Sequence, residues 1–200
     1  STPCLNVLAA SRGSLLEDLQ GREILDFHGN SAHQVGYAHP RVMAAVKAQL
    51  DRMPFCPRRY TNIPAIELAE TLAAITPDPL GKVLLAPGGT SAVGMALKLA
   101  RTATGRFKTI SMWDSFHGAS LDAISIGGES LFRQGIGPLL PGTEHVPPAD
   151  PWHCLWDPDG RCHVCGLKCA AYIEYVLKKE GDVAAVIAEP FRCTTINIPP

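Results

Sequence analysis

The sequence predicts an α/β fold with a mostly parallel sheet flanked by helices, and three observations predict it. From Pro64 onward, apolar stretches at helical spacing alternate with short β-rich runs, the pattern of βαβ units. The stretch 82–101, KVLLAPGGTSAVGMALKLAR, reads as a short apolar strand, a glycine turn and a helix that begins at the turn. Asp182–Ala188 (DVAAVIA) reads as a buried strand running straight into Glu189-Pro190. In such sheets ligands sit beyond the carboxyl ends of the strands. The Gly88–Ser91 turn, the Ser115–Gly118 loop and Glu189 each follow a predicted strand, so one shared site is geometrically reasonable.

The elements follow in order. Leu19–Phe27 reads as a hairpin with its turn at Gln20-Gly21. A polar loop covers His28–His39. Pro40 then sits where a helix can start, and Val42, Met43, Val46 and Leu50 fall at helical spacing. Met53–Asn62 is broken by prolines and irregular. A helix from Pro64 to about Ile75 has Ile66, Leu68, Ala69, Leu72 and Ile75 on its apolar face. A strand is expected near Val83, a helix from Thr90 and a strand over Phe107–Met112. Trp113–Gly118 is a loop or helix entry, 127–159 is loop-rich, and a helix spans Ala170–Lys179.

Composition narrows the function classes. The chain has 200 residues, 46% hydrophobic and 18% charged, enough for a sizeable core but modest for two full domains. A net charge of −1 with no basic run argues against nucleic acid or an anionic membrane as the main partner. No apolar run reaches membrane-spanning length. No signal peptide opens the chain, which says little in a sequence starting at Ser1.

The glycine turn carries the chemistry. Where a strand empties through glycines into a helix N-terminus, unpaired N–H groups converge and the helix dipole favours an anion. Gly88 and Gly89 leave room for a phosphate, while Thr90 and Ser91 add hydroxyl donors and make good caps. The glycines match neither G-x-G-x-x-G nor the P-loop, so a nucleotide motif is not supported. A plain strand-to-helix turn is the competing reading.

Together these features resemble the class III aminotransferase family, pyridoxal-phosphate enzymes of fold type I. The resemblance rests on Gly88-Gly89-Thr90 followed by Ala96–Arg101, on Phe116-His117-Gly118, on Glu189-Pro190 at a strand end, and on the His28–Pro40 loop closing in Gly-x-x-His-Pro. It implies pyridoxal 5'-phosphate as cofactor, with Gly88, Gly89 and Thr90 at its phosphate and Phe116 over a face of its ring. His117 and Gly118 would shape the loop beneath, and Glu189 would lie near the ring oxygen or the substrate. The competing readings are an ordinary core aromatic for Phe116, a hydrogen-bonded loop histidine for His117 and a capping or salt-bridged carboxylate for Glu189. Residues 1–60 would belong to the small domain and 61–200 to the first half of the large cofactor-binding domain. The resemblance further implies a homodimer with the site at its interface.

Two departures from the family pattern matter. Most relatives continue the turn with Glu-Ala-Asn-Glu, whereas this chain has Ser91-Ala92-Val93-Gly94, which bears on transamination more than on cofactor binding. None of Lys47, Lys82, Lys98, Lys108, Lys168, Lys178 and Lys179 stands where the family places its Schiff-base lysine. The catalytic residue is therefore expected outside these 200 residues, and the chain reads as an N-terminal portion of a longer enzyme. The reaction implied is transamination of a small primary amine through an external aldimine. The alternative comes from similarity of 28–36 and 86–91 to a branch acting on aminophosphonates, the 1-hydroxy-2-aminoethylphosphonate ammonia-lyase branch. Arg58 and Arg59 would suit a phosphonate, or be two solvated surface arginines.

Cys154, Cys162, Cys165 and Cys169 crowd one loop with His153 and His163, and Cys162–Cys165 is a CxxC. Its partners are irregularly spaced, so reduced packing cysteines in a cytoplasmic protein are expected, with no bound metal. A zinc-stabilised, non-catalytic binding module is the alternative of a different class.

Overall fold

The computed structural model describes residues 6–29, 32–157 and 165–192. It divides between Val83 and Leu84 into two compact units, each with its own sheet.

In the first unit β1 (Leu8–Arg12), β2 (Leu15–Asp18) and β3 (Glu23–Leu25) form an antiparallel sheet in sequential order. The expected hairpin is β2–β3, with Leu16 opposite Ile24. Its turn closes on Asp18, whose carboxylate accepts from the Gln20 and Arg22 amides, both at 2.9 Å, and from Arg22 Nε at 2.6 Å. Gly21 supplies the positive φ of 73° that the turn requires. The sequence reading had no β1, because LAASR is exposed along its whole length and lacks a two-residue alternation. Helix α1 (Pro40–Arg52) starts at the expected proline. Helix α2 (Ile63–Ile75) is capped by Asn62, whose Oδ1 accepts from the Ala65 amide at 2.9 Å.

The second unit holds α3 (Gly89–Thr104), β4 (Lys108–Met112), α4 (Leu121–Ile126), α5 (Ser130–Arg133), β5 (Thr143–Val146), α6 (Lys168–Glu180) and β6 (Val183–Val186). The expected strand near Val83 does not form. Lys82–Ala86 carries no strand, for it belongs to neither sheet and so finds no ladder partner among the described residues. The loop-rich expectation for 127–159 is also corrected by α5 and β5. Strand β5 escaped notice because Thr143, Glu144 and His145 are polar and only half-buried.

The sheet is wholly parallel, in the order β5-β4-β6. β4 is central, and its residues Thr109, Ile110 and Ser111 are all buried. Ile110, Val146 and Val183 form the core, with Met112 and, from α6, Ile173 and Val176 packed against it. Full burial of Ile110 is worth about 1.5–3 kcal/mol relative to exposure. β6 is shorter than the expected Asp182–Ala188, although Ile187 N still donates to Ile110 O at 2.9 Å. Parallel strands end at one edge, and that edge carries the site.

Candidate functional site

Beyond β4 the chain turns sharply at Asp114, which has a left-handed φ of 60°. Ser115 is buried and anchors the turn. Its Oγ donates to Met112 O at 2.6 Å, and its carbonyl accepts from the amides of Gly128 (2.9 Å) and Glu129 (3.1 Å). Phe116 follows, a residue 37% exposed, with its ring tilted against Phe132, centroids 4.6 Å apart. The Phe116 amide donates to Glu189 Oε1 at 2.8 Å, so the exit of β6 holds the exit of β4. His117 Nε2 lies 3.2 Å from Ser111 Oγ. Gly118 sits at φ +132° against α3, where a Cβ would come 2.6 Å from Thr90 Oγ1. The Ala119 amide donates to that same oxygen at 3.3 Å. Thr90, Phe116, His117, Gly118 and Glu189 are thus brought together.

Gly88 and Gly89 stand at the entrance of α3, with Gly88 as N-cap at an extended φ of −178° that any residue adopts. A Cβ added at either position would meet nothing within 4 Å. Neither packing nor backbone conformation demands these glycines. The first-turn N–H groups have no intrahelical acceptor, and no side chain caps them. Thr90 Oγ1 accepts from Ala119 and keeps its own proton for a further acceptor. An open, donor-lined helix entrance beside a half-exposed aromatic ring fits a flat cofactor carrying a phosphate.

Burial pushes His117 below the usual imidazole range, and the charge of Glu189 opposes the shift. His145 on β5 is likewise lowered, first by burial, with the Gly127 carbonyl opposing and the Arg133 charge reinforcing the shift. Both rings are therefore neutral at neutral pH. A histidine whose folded pKa is depressed binds fewer protons than its unfolded form, so stability is lost as pH falls through the unfolded value of 6.5. Replacing His117 by Gln is expected to flatten the decline in Tm from about pH 7 to about pH 5. An unchanged slope in a thermal-melt series would remove this account of His117.

Arg58 and Arg59 are exposed on a turn of the first unit, where the Tyr60 amide donates to Pro57 O at 2.9 Å. No lysine follows a strand end: Lys47, Lys98, Lys168, Lys178 and Lys179 are helical, Lys82 lies in coil, and Lys108 opens β4, paired with Glu180 at 2.6 Å. Cys154 and Cys169 are free thiols, and Cys165 is buried. Cys162 and His163 lie outside the described residues. Among those described, no three His, Cys, Asp or Glu side chains group as a metal site.

Sequence reading passed over Asp114, Asp150 and Arg192. Each follows a strand of the parallel sheet, and that position was the available signal. It also passed over the stack of Trp113 on His145 (centroids 4.4 Å apart), with Arg133 5.3 Å from the indole centroid.

Comparison with known proteins gives the context. The family model described as aminotransferase class-III matches residues 1–195. An (R)-1-hydroxy-2-aminoethylphosphonate ammonia-lyase from Vibrio splendidus is 47% identical over 100% of this chain and 44% of its own length. An acetylornithine aminotransferase from Methanopyrus kandleri is 34% identical over 96% of this chain and 45% of its own. The crystal structure of an amine transaminase from an uncultivated Pseudomonas species, bound to pyridoxal phosphate, superposes with a TM-score of 0.88 at 27% identity, covering 98% of this chain and 47% of that one. The chain therefore spans a little under half the length of the relatives it matches. The family and the cofactor-bound structure together indicate pyridoxal phosphate as the cofactor.

Proposed function

The chain belongs to the class III aminotransferase family, and on that premise we propose that it builds the phosphate- and ring-binding part of an enzyme acting on a small primary amine. The observation that carries this reading is the contact of Thr90 with Gly118 and Ala119, which joins an open helix entrance to the half-exposed Phe116 ring. Gly88 leaves room for the phosphate, while the Gly89 and Thr90 amides and the Thr90 hydroxyl hold it. Phe116 covers the pyridine ring, and His117 and Gly118 shape the floor. When bound, pyridoxal phosphate supplies an electron sink for charge developing beside the amine nitrogen. Glu189 fixes the Phe116 amide and faces the substrate side, and His117 stays uncharged beneath the ring. Arg58 and Arg59 are the proposed partners of a substrate phosphonate, since guanidinium forks match such oxygens. Residues 1–60 and 61–200 are assigned to the small and large domains, and the enzyme is read as a cytoplasmic homodimer.

Transamination of the amine is the family's general reaction. Elimination from a hydroxy-aminophosphonate is the second reading. It is favoured by the 47% identity to the Vibrio enzyme over the whole chain and by Ser91–Gly94 standing in place of two acids and an amide. Incubating the purified natural chain and cofactor with (R)-1-hydroxy-2-aminoethylphosphonate separates the two. Ammonia and the aldehyde phosphonate formed without an amino acceptor mean elimination. Turnover that requires a keto acid means transamination. A protein that takes up no pyridoxal phosphate and turns over neither substrate nor simple amines would overturn both. The glycine argument has its own check: Gly89→Ala is expected to leave apo-protein Tm unchanged or slightly raised while weakening cofactor binding about tenfold.

A further inference from the structure

The β6 exit grips the aromatic turn at two points, and Glu189 is only the first of them. Arg192 lies three residues further on and is 1% exposed. Its Nη2 is 3.0 Å from Asp150 Oδ2, and its Nη1 is 3.7 Å from Asp114 Oδ2. Asp114 follows β4, Asp150 follows β5 and Arg192 follows β6, so the three strand exits meet on one guanidinium. Asp150 is itself fixed, accepting from the amides of Trp152 at 2.8 Å and His153 at 3.0 Å. Asp114 is the residue whose left-handed backbone swings the chain from β4 toward Phe116.

Stability alone is a weak reason for this arrangement. Burying a guanidinium between two acids costs desolvation, and well-packed apolar residues often serve equally well. Among the described residues, moreover, Arg192 Nε and Nη1 find no hydrogen-bond partner, and Nη1 meets Asp114 as an ion pair alone. A planar fork does have one property that an apolar plug lacks: it holds two separate carboxylates at a set spacing and angle. Asp150 is the end held by two amides, and Asp114, 49% exposed, is the end that lies on the aromatic turn.

We propose that Arg192 is a positioning residue for the cofactor: by tying Asp114 to Asp150 it sets the depth and tilt of the 114–118 turn on which Phe116 and His117 ride. Arg192 does not touch the cofactor and acts through Asp114, while Glu189 holds the same turn by the Phe116 amide. The proposal rests on the reading of Phe116 as the ring-covering residue.

The test compares Arg192→Lys, Asp114→Asn and the double variant with the unsubstituted natural chain. One readout is hydrogen exchange of the apo-protein, and the other is the Kd for pyridoxal phosphate, measured where all forms are folded. We expect exchange over 113–118 to accelerate about tenfold with the β4 amides unchanged, and cofactor affinity to fall about tenfold. The double variant should be no worse than Arg192→Lys alone, because both changes cut one connection. Unchanged exchange over 113–118, or an equal rise throughout the sheet, overturns the proposal. Should Arg192→Lys fail to fold, Asp114→Asn decides by the same two readouts. If the unsubstituted protein takes up no pyridoxal phosphate, the cofactor reading fails, whereas local exchange still reports on the clamp.

Discussion

Replacing Gly128 by Ala is expected to destabilise the protein by about 3 kcal/mol or more, a large effect for a single methyl group. A Cβ at this position would collide with the Met112 carbonyl oxygen and lie 2.6 Å from Trp113 Cα. Both are backbone atoms leaving the central strand, so no side chain can swing aside. The Gly128 amide also donates to Ser115 O at 2.9 Å, a bond lost if the two segments part. Because Ser115 precedes Phe116, the damage should reach the ring-covering turn as well as the melting temperature. Equilibrium urea unfolding is the measurement, and a loss below about 1 kcal/mol would show that the β4 exit yields more readily than close packing allows.

Replacing Gly118 by Ala should cost about 2–5 kcal/mol, combining an unfavourable backbone with overpacking. Its φ of +132° is one that L side chains rarely adopt, and the new methyl would stand 2.6 Å from Thr90 Oγ1 and 3.0 Å from Thr90 Cα. Relief requires the Thr90 end of α3 to retreat from the Phe116 loop. Cofactor affinity is therefore expected to fall more steeply here than in Gly128→Ala at matched stability. An absorbance titration with pyridoxal phosphate, run well below each variant's Tm, separates the two. Equal losses would mean that Thr90 does not contribute to the phosphate site.

Local chemistry explains what could be read in advance. Pro40, Pro64 and the glycine entrance of α3 mark helix starts by properties of one or two residues. Strand β6 announces itself through the apolar run Val183–Val186, and β4, although Thr109 and Ser111 are polar, through the β-branched pair Thr109-Ile110. The motif residues Thr90, Phe116, His117, Gly118 and Glu189 were each identified in the sequence, and the structure adds which touch which. Glu189 is a case in point. Its bond to the Phe116 amide joins residues 73 positions apart, and no spacing rule spans that distance. Strand β5 stayed hidden because pairing with β4 rather than its own polarity makes it a strand. Val83 failed in the opposite way, with the right composition but no neighbour to pair with among the described residues. The Asp114–Asp150–Arg192 junction depends on the two crossovers of the sheet, and beyond each residue's place after a strand it leaves no local trace.

The bond between Phe116 and Glu189 also sets a timetable for the chain's own synthesis. A ribosome adds about 5–20 residues per second, so 73 residues separate the two by about 4–15 s. For that interval the nascent aromatic turn has neither its carboxylate nor the third strand of its sheet. Phe116 and Trp113 then face the crowded space around the ribosome sheltered by Phe132, His145 and Arg133. A polypeptide arrested before residue 189 should accordingly associate with holding chaperones, and release should follow once that residue clears the exit tunnel.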